Sequence, residues 1–330
     1  MYRVGIIGCG GIAQVHAASL SKLPQIQLIA CADIRKERAD AMAEKYGCNA
    51  YASMEELLEK ETVDVVHLCT PHYLHAPMAL MAAKKGIAVF TEKPPVISWE
   101  QWALLEEAAS LVPLGVCFQN RYNLNVREAE RIIASGEYGA LKGGRGFVTW
   151  HREAPYYVES GWRGTWETEG GGALINQSIH TLDLMVRLLG KADAVDCYMT
   201  NRHLKGVIEV EDTVDAYLTL DGKTALFYAT TAYSDDAPVQ IELHFEKATI
   251  LLVGTDQLEI RTAEGTETKT FQATEALGKG YWGNGHAGCI ADFYSKLGTD
   301  EPFQNDIDSV RDTMALMIKM YDPYRGKTVK

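Results

Sequence analysis

Hydrophobic and polar positions alternate in two different ways along the chain. Up to Gln119, short apolar runs rich in Val and Ile alternate with stretches of helical periodicity. This order predicts a doubly wound parallel sheet with helices on both faces. From Ala192 to Phe271 strand-like runs dominate, separated in places by turn signals such as Asp221-Gly222 and Glu264-Gly265, which predicts a large, open, mostly antiparallel sheet.

The two patterns predict an α/β protein of two domains. The first, residues 1–121, contains the doubly wound parallel sheet, and the second, residues 122–330, is an α/β domain that contains the large open sheet. The final predicted helix, Asp308–Tyr321, carries an apolar face and is expected to pack back against the core, with the first domain as one possible surface.

The stretch Glu169–Leu189 combines three glycines with a helix of two stripes. Its apolar residues recur at the spacing of a buried helix face: Ile175, Ile179, Leu182, Val186 and Leu189. About 100° further round the helix lies a polar stripe of Asn176, His180 and Asp183. On this stretch alone, a reactive site and a histidine at the edge of a core are both open, with Asp183 expected to be a supporting or structural group.

A glycine-rich turn follows the first predicted strand, Tyr2–Ile7. Gly8 allows a tight turn, Gly10 lets a pyrophosphate approach the backbone, and Ala13 is small enough for helix packing. Asp33 ends the second strand, 20 residues after Ala13, where a carboxylate would bind the adenosine ribose. This favours NAD; NADP is the weaker alternative, since Arg35 is close in sequence. The loop residues expected at the cofactor are Gly8, Gly10, Gly11, Ile12 and Ala13, together with Asp33.

Three further predicted strands end in polar tripeptides, and ligands of doubly wound sheets bind at such carboxyl ends. These are Thr70-Pro71-His72, Glu92-Lys93-Pro94 and Gln119-Asn120-Arg121. Lys93 lies between a buried strand and two prolines, so a role in the site competes with that of an ordinary surface lysine. Beside a positively charged nicotinamide its pKa would be lowered, which would ease proton transfer.

An aromatic segment in the second predicted domain contains Tyr156, Tyr157 and the run Gly161-Trp162-Arg163-Gly164-Thr165-Trp166. Aromatic faces with an arginine suit a sugar ring and an anionic group, while a packed loop with a surface arginine is the alternative.

In the predicted antiparallel sheet, Ala225, Phe227 and Ala229 alternate with Leu226 and Tyr228, so both sheet faces carry apolar residues. This pattern favours an oligomer interface on the sheet, with burial of both faces within the chain as the alternative.

The net charge of −12 argues against binding nucleic acid or an anionic membrane surface. Seven widely spaced cysteines, with no CxxC, indicate free thiols and a cytoplasmic protein. Neither a signal peptide nor a membrane-spanning run is expected, and the histidine spacing supports no metal site.

These motifs together resemble the Gfo/Idh/MocA oxidoreductases, the family of glucose–fructose oxidoreductase and inositol dehydrogenase. The residues that carry the resemblance are GCGGIA, ADI, TPHYLH, EKP and GGGALINQSIHTLD, in that order. The resemblance implies a Rossmann domain, an open-sheet domain forming a homodimer or homotetramer, and a catalytic set of Lys93, Asn176 and His180. It also implies that Trp162 and Arg163 reach the cofactor or substrate.

The chain departs from the family pattern at three positions. Asn176 stands where the inositol dehydrogenase branch often has Asp, and an amide can orient a substrate but cannot relay a proton. His72 stands where Asn is common, and Pro95 doubles the proline after Lys93. The remaining expected cofactor contacts are Thr70, Pro71, His72, His75, Glu92, Lys93, Arg121, Trp162 and Arg163. The expected substrate contacts are Lys93, Arg121, Tyr122, Tyr156, Trp162, Arg163, Asn176, His180 and His286, although a structural role at a helix start is favoured for His286.

The leading functional hypothesis is an NAD-dependent dehydrogenase that acts on a secondary alcohol of a sugar, sugar derivative or nucleotide sugar. An NAD-dependent glycoside hydrolase, which oxidises its substrate transiently without net redox change, would use the same residues. A non-catalytic sugar-sensing regulator is a third class, and the presence of both Lys93 and His180 argues against it.

Overall fold

The computed structural model describes residues 1–272, 285–299 and 301–330. The chain forms two compact units, of which the first comprises Met1–Gln119 and Glu275–Val310 and the second comprises Asn120–Thr274 and Arg311–Lys330. The predicted boundary after residue 121 lies within two residues of the first crossing between them. The sequence pattern did not indicate that the segment from Gly285 to Lys296 belongs to the first unit.

The first unit is built on a parallel sheet of six strands in the order β3-β2-β1-β4-β5-β6. Its elements up to Gln119 are β1 (Tyr2–Ile7), α1 (Gly11–Leu20), β2 (Ile26–Ala32), α2 (Lys36–Tyr46), β3 (Asn49–Tyr51), α3 (Met54–Lys60), β4 (Val65–Leu68), α4 (His75–Ala83), β5 (Ala88–Thr91), α5 (Trp99–Leu111) and β6 (Leu114–Val116). All four residues of β4 and of β5 are buried, as expected for strands covered on both faces.

The second unit is built on a sheet of eight strands in the order β14-β13-β12-β11-β7-β10-β9-β8. Its elements up to residue 272 are α6 (Leu124–Ser135), β7 (Leu141–Thr149), α7 (Ala154–Val158), α8 (Ile179–Leu189), β8 (Ala192–Thr200), β9 (Thr213–Leu220), β10 (Lys223–Thr230), β11 (Gln240–Phe245), β12 (Thr249–Val253), β13 (Gln257–Thr262) and β14 (Gly265–Thr270). Strands β7 and β10 pair in parallel, and the other neighbours are antiparallel. The predicted fold class is therefore confirmed.

Two further helices complete the described chain. Helix α9 (Gly285–Lys296) belongs to the first unit. Helix α10 (Ile307–Tyr321) is the predicted final helix, and the division between the units falls within it, after Val310. Among the helices of the described residues, none is both long and apolar enough to cross a membrane.

One face of the large sheet packs against α8. Ala225, Phe227 and Ala229 of β10 are buried, whereas the intervening Leu226 is 46% exposed. At Gly146 of β7, an added Cβ would lie 2.5 Å from Sδ of Met185 on α8. The absence of a side chain there lets the helix approach the strand closely. The sheet therefore gives rigid support to α8, which carries His180.

Candidate active site

The turn between β1 and α1 has the geometry expected of a dinucleotide-binding loop. Gly8 has φ +85°, and a Cβ there would lie 2.6 Å from the carbonyl oxygen of Cys69. Only glycine fits this position without strain. At Gly10, by contrast, an added Cβ would meet no described atom within 4 Å, so the backbone is open to a bound group.

The start of α1 supplies hydrogen-bond donors to that open space. Gly11, Ile12 and Ala13 form its first turn, where backbone N–H groups have no partner within the helix. Such N–H groups, with the positive end of the helix dipole, favour phosphate. Ala13 itself is fully buried, as its predicted packing role requires.

Asp33 lies beside the glycine turn, although 24 residues separate it from Cys9. Its Oδ2 accepts a hydrogen bond from the Cys9 N–H at 2.7 Å, and its Oδ1 accepts one from the Arg35 N–H at 2.8 Å. The carboxylate is thereby fixed at the end of β2, where it suits a ribose hydroxyl and repels a 2′-phosphate. These residues fit NAD.

The segment after β4 is tied to the segment after β5 by His75. Its fully buried ring bonds to the carbonyl oxygens of Thr70 at 2.8 Å and Pro94 at 2.7 Å. Burial is the main reason why the pKa of His75 is lowered. The Thr70 hydroxyl is buried and has no hydrogen-bond partner among the described residues, so it is available to a ligand. His72 begins a short 3₁₀ turn at this edge and is buried.

Lys93 is the single residue from Ile87 to Ile97 that is not buried. Its backbone N–H donates to Oε2 of the preceding Glu92 at 3.3 Å, which orients the backbone at the end of β5, and Lys93 itself is partly exposed. The prediction that a cofactor lowers the pKa of Lys93 stays a prediction.

Glu92 belongs to a buried hydrogen-bonded chain that the sequence analysis did not anticipate. Its Oε1 bonds to Nε2 of His16 at 2.9 Å, the Nδ1 atoms of His16 and His67 lie 2.9 Å apart, and Nε2 of His67 bonds to the Tyr294 hydroxyl at 2.9 Å. Desolvation, the largest single effect, raises the pKa of Glu92. The hydrogen bond from His16 and the nearby positive groups together outweigh it, so the pKa of Glu92 is held well below its ordinary value.

His286 packs into the same cluster, and both roles expected for it, structural and substrate-binding, stay predictions. The ring is 2% exposed, lies 6.3 Å from the ring of His16, and has no hydrogen-bond partner among the described residues. Burial lowers its pKa to about 4, so it is neutral at physiological pH.

One group of potential metal ligands occurs in the described residues. The ligand atoms of His16, Glu92 and Cys117 lie within 4.8 Å of one another, and all three residues are buried. Both ring nitrogens of His16 are engaged in hydrogen bonds, with Glu92 and with His67, which accounts for the ring without a cation.

In the second unit, Asn176 and His180 stand out by exposure. From Glu169 to Val186 every residue is buried except these two, both of which are partly exposed. The predicted continuous helix is wrong in one respect, because residues Ala173–Gln177 form a π-helical turn and α8 begins only at Ile179. The interruption keeps both polar side chains at the surface of an otherwise buried segment.

Hydrogen bonds from neighbouring groups stabilise this interrupted segment. The Ser178 hydroxyl donates to the carbonyl oxygens of Ala173 at 2.9 Å and Leu174 at 3.2 Å. Oε1 of Glu211 accepts from the Leu174 N–H at 2.9 Å and from the Tyr321 hydroxyl at 2.7 Å. Glu211 is fully buried, and desolvation raises its pKa to about 7.

A second buried carboxyl group, Glu169, touches Asn176 directly. Its Oε2 accepts from the Gly164 N–H at 2.6 Å, and its Oε1 accepts from Nδ2 of Asn176 at 2.5 Å. Sequence reasoning missed Glu169; its one visible signal was an acidic residue directly before three glycines. The Tyr156 hydroxyl accepts from Nδ2 of Asn176 at 3.4 Å and from Nε2 of Gln177 at 3.1 Å.

The predicted aromatic segment and its arginine are brought together beside this network. The Arg163 guanidinium lies 4.4 Å from the Tyr156 ring centroid and 4.5 Å from that of Trp162. Its positive charge also lowers the pKa of Glu169, against the larger effect of burial. The structure thus groups Tyr156, Trp162 and Arg163 with Asn176 within the second unit.

Arg121 is placed differently from these residues. Its guanidinium is 1% exposed and forms a two-point ion pair with Asp183, at 2.8 Å and 2.5 Å. Asp183 also accepts from the Thr313 hydroxyl at 2.8 Å, which agrees with the supporting role expected of it. Tyr122 stacks against Arg127, whose guanidinium carbon is 4.9 Å from the ring centroid. Ligand binding by Arg121 and Tyr122 stays a prediction.

A glycine turn that opens onto a helix N-terminus, with an acidic residue at the next strand end, defines a dinucleotide-binding Rossmann domain. Comparison with known families specifies the class further. Residues 2–113 match the model described as "Oxidoreductase family, NAD-binding Rossmann fold", and residues 126–251 match the GFO/IDH/MocA C-terminal domain. The chain belongs to the Gfo/Idh/MocA oxidoreductase family, as the sequence motifs predicted, and its cofactor is NAD.

Individual relatives are sugar and polyol dehydrogenases. The chain is 33% identical to D-glucoside 3-dehydrogenase of Escherichia coli over 195 residues, which cover 57% of this chain and 54% of the relative. It is 32% identical to inositol 2-dehydrogenase of Rubrobacter xylanophilus over 186 residues, covering 54% and 50%. The chain therefore matches about half the length of these curated relatives.

Solved structures match nearly the whole chain. The WlbA dehydrogenase from Bordetella pertussis, in complex with NADH and UDP-GlcNAcA, has a TM-score of 0.84 and 26% identity, with 98% of this chain and 97% of that chain covered. Levoglucosan dehydrogenase, in complex with NADH and levoglucosan, has a TM-score of 0.83 at 22% identity and supports the fold. The hydrolase alternative is not favoured by these comparisons.

Proposed function

We propose that the protein is an NAD-dependent dehydrogenase that transfers a hydride between NAD and a secondary alcohol of a sugar, sugar derivative or nucleotide sugar. The observation that carries this proposal is the exposure of Asn176 and His180 within a buried segment. Lys93 of the first unit stands out in the same way from its own buried run. A polar side chain projecting from a rigid support is typical of a site.

Each of these residues is assigned one role. His180 is the general base that removes the hydroxyl proton of the substrate, because an imidazole exchanges protons near neutral pH. Lys93 is assigned the hydrogen bond that stabilises the negative charge developing on a substrate oxygen. Asn176 orients the substrate through its amide. NAD, when bound, supplies the hydride-accepting ring.

The substrate class is supported by the side chains around Asn176 and by the relatives. Tyr156, Trp162 and Arg163 present two aromatic faces and one cation, a combination that binds a sugar ring together with an anionic substituent. Relatives named for glucosides and inositols, and a similar structure bound to a nucleotide sugar acid, have substrates of this chemistry.

The assignment is tested with His180→Ala and Lys93→Ala. We expect kcat to fall by about 10²–10⁴ for each, the usual contribution of a positioned acid or base. NADH formation is measured with a panel of glucosides, inositols and UDP-sugars, after thermal-shift screening of that panel. His244→Ala and Lys85→Ala are matched controls, since both residues are largely exposed. Folded His180→Ala and Lys93→Ala proteins that retain the wild-type rate would refute the assignment.

We also propose that the chain assembles as a homodimer or homotetramer through the outer face of its large sheet. Tyr198, Tyr217 and Leu226 lie on neighbouring strands of one face and are 61%, 52% and 46% exposed. Tyr217 is directly opposite Leu226 in the register of β9 and β10. Leu226→Glu should convert the oligomer to a monomer in sedimentation, with the buried face of the sheet unchanged. A wild-type monomer at micromolar concentration would contradict the assembly.

A further inference from the structure

The described contacts of Glu169 connect two parts of the second unit. Oε2 of its carboxyl group accepts from the backbone of Gly164, in the segment that carries Arg163, and Oε1 accepts from the side chain of Asn176. The residue is fully buried. Because both oxygens have a donor in fixed positions, the carboxyl group has one preferred orientation.

The hydrogen bond to Glu169 sets the orientation of the Asn176 amide. Nδ2 donates to Oε1 of Glu169 at 2.5 Å and lies 3.4 Å from the Tyr156 hydroxyl. The amide oxygen is therefore turned away from Glu169. An Asn side chain can be reversed by rotation about its last torsion, which exchanges its donor and acceptor ends, so an ionised partner selects one of two possible orientations.

We propose that Glu169 is a positioning residue whose ionised carboxylate holds Asn176 with its amide oxygen toward the substrate, and whose protonation allows the amide to reverse. The proposal rests on the substrate-orienting role of Asn176 proposed above. When Glu169 is protonated, its Oε1 becomes a hydrogen-bond donor. Its preferred partner is then the amide oxygen of Asn176, not the NH₂ group. The substrate would meet an acceptor in one state and a donor in the other.

The surroundings of Glu169 place this change near neutral pH. Burial raises its pKa to about 7, and the hydrogen bonds from Gly164 and Asn176 act in the opposite direction. The other charged and titratable groups that face it are Arg163, Glu211, Tyr156, Tyr157 and Tyr321. The three tyrosines have raised pKa values and stay neutral, so Arg163 and Glu211 are the groups that modulate it.

Glu169→Gln should imitate the protonated state permanently. The Gly164 N–H needs an acceptor, which directs the oxygen of the new amide to Gly164 and its NH₂ group toward Asn176. Asn176 would then turn its own oxygen toward residue 169 at every pH. The exchanged pair Glu169→Gln with Asn176→Asp restores the match, because the new amide donates to one oxygen of the new carboxylate and leaves the other turned away.

The first test needs no substrate. In protein labelled with ¹⁵N-asparagine, the side-chain amide resonance of Asn176, assigned by its absence in Asn176→Ser, should shift with a midpoint near pH 7. It should stay constant with pH in Glu169→Gln. Glu211→Gln is the matched control, since Glu211 has the same burial and a pKa raised to about 7 but bonds to backbone groups and Tyr321, so the shift should persist. An Asn176 resonance that does not respond to pH in the wild type would overturn the proposal.

The second test measures kcat/KM against pH, with NAD and with myo-inositol, methyl β-D-glucoside and UDP-N-acetylglucosaminuronate as probes. As the pH is lowered, wild-type activity should fall more steeply than a one-proton profile, because protonation of Glu169 adds a further loss of about 10-fold to 100-fold to the loss of the general base. Glu169→Gln should be about 10-fold to 100-fold slower at high pH, the cost of one misplaced hydrogen bond, and should fall with a slope of one proton. The exchanged pair should recover part of the loss.

The two proposals fail in distinguishable ways. If no probe is oxidised but the Asn176 resonance titrates with Glu169, the dehydrogenase assignment loses support while the positioning of Asn176 stands. If the probes are oxidised and Glu169→Gln lowers only thermal stability, with the wild-type pH profile retained, Glu169 is a structural residue and the positioning role is refuted.

Discussion

The molecule contains two glycine-rich turns that lead into helical segments. They differ in whether their backbone N–H groups bond to a carboxylate of the protein itself. In the first unit, the turn at Gly8–Gly10 leaves the N–H groups of the first turn of α1 outside the helix's own hydrogen bonding. In the second unit, the N–H groups around Gly172 and Leu174 are bonded by the carboxylate of Glu211, and Gly164 is bonded by Glu169.

This difference explains why similar glycine runs serve different purposes. A turn whose N–H groups have no internal acceptor binds an external anion, such as a pyrophosphate. A turn whose N–H groups already bond to a buried carboxyl group, as those of Gly172 and Leu174 do to Glu211, needs no external anion, and it instead provides a rigid support for Asn176 and His180. The presence of an internal acceptor, more than the glycines themselves, distinguishes a phosphate site from a structural turn.

Removing the internal acceptor of the second turn should have the largest effect on stability. In Glu211→Leu the N–H groups of Gly172 and Leu174 and the Tyr321 hydroxyl lose their partner in the core. We expect a loss of about 3–5 kcal/mol in the free energy of unfolding, since each buried donor left unpaired costs about 1–3 kcal/mol. Urea unfolding measures it. Glu211→Gln keeps one acceptor oxygen and should lose about half as much; equal stability of Glu211→Leu and wild type would contradict this account.

The pH dependence of stability should separate the buried carboxyl groups of the two units. The folded-state pKa of Glu169 is raised from 4.5 to about 7, so the folded protein binds more protons than the unfolded chain between these values. Stability contributed by its neutral form is therefore lost as pH rises through this window. The pKa of Glu92 is lowered, so its contribution is present above its unfolded value and is lost as pH falls.

Glu169→Gln provides the measurement for this contrast. The difference in unfolding free energy between wild type and variant should change by about 2–3 kcal/mol between roughly pH 4.5 and 7.5, at 1.36 kcal/mol per pKa unit. The wild type should lose stability relative to the variant as pH rises. His67, His75 and His286 also contribute to the pH dependence of the unfolding free energy, but these contributions are common to wild type and variant and cancel in the difference. A difference that stays constant over this range would show that Glu169 does not titrate there.

Two alanine substitutions should separate folding from cofactor binding in the first turn. Gly10→Ala adds a Cβ that meets no described atom within 4 Å, so the protein should fold normally, but NAD binding should weaken about 10-fold to 100-fold because the methyl group occupies the open face. Gly8→Ala should instead lower the melting temperature, since its Cβ would lie 2.6 Å from a backbone oxygen at φ +85°. Calorimetric titration with NAD and thermal unfolding measure the two effects. Unchanged NAD affinity in Gly10→Ala would place the pyrophosphate elsewhere.

The features that could be predicted from the sequence are those that depend on the pattern of residues close together in the chain. The glycine turn, Asp33 and the separation of Asn176 and His180 from the buried stripe follow from spacing along short stretches of sequence, and the two sheets follow from the order of the predicted strands and helices. Partnerships between distant residues could not be predicted in this way. Glu211 lies 39 residues from Gly172, and Glu92 lies 76 residues from His16. Each is a buried charge whose partner is defined only by tertiary packing, as is the return of α9 to the first unit.

The smallest expected effect concerns the carboxylate that bonds to the first turn. The Asp33 carboxylate bonds to the Cys9 N–H and lies where a ribose hydroxyl is expected, so it favours NAD over NADP by charge repulsion. Asp33→Asn keeps an acceptor oxygen for Cys9 but removes the charge, and Arg35 follows two residues later. We expect the ratio of NAD to NADP affinity to fall about 10-fold, which corresponds to 1.4 kcal/mol, with little change in thermal stability. Lys36→Ala is a control at an exposed neighbour. An unchanged ratio would mean that the preference for NAD is set by groups other than this carboxylate, and the first turn would then owe its selectivity to shape and not to charge.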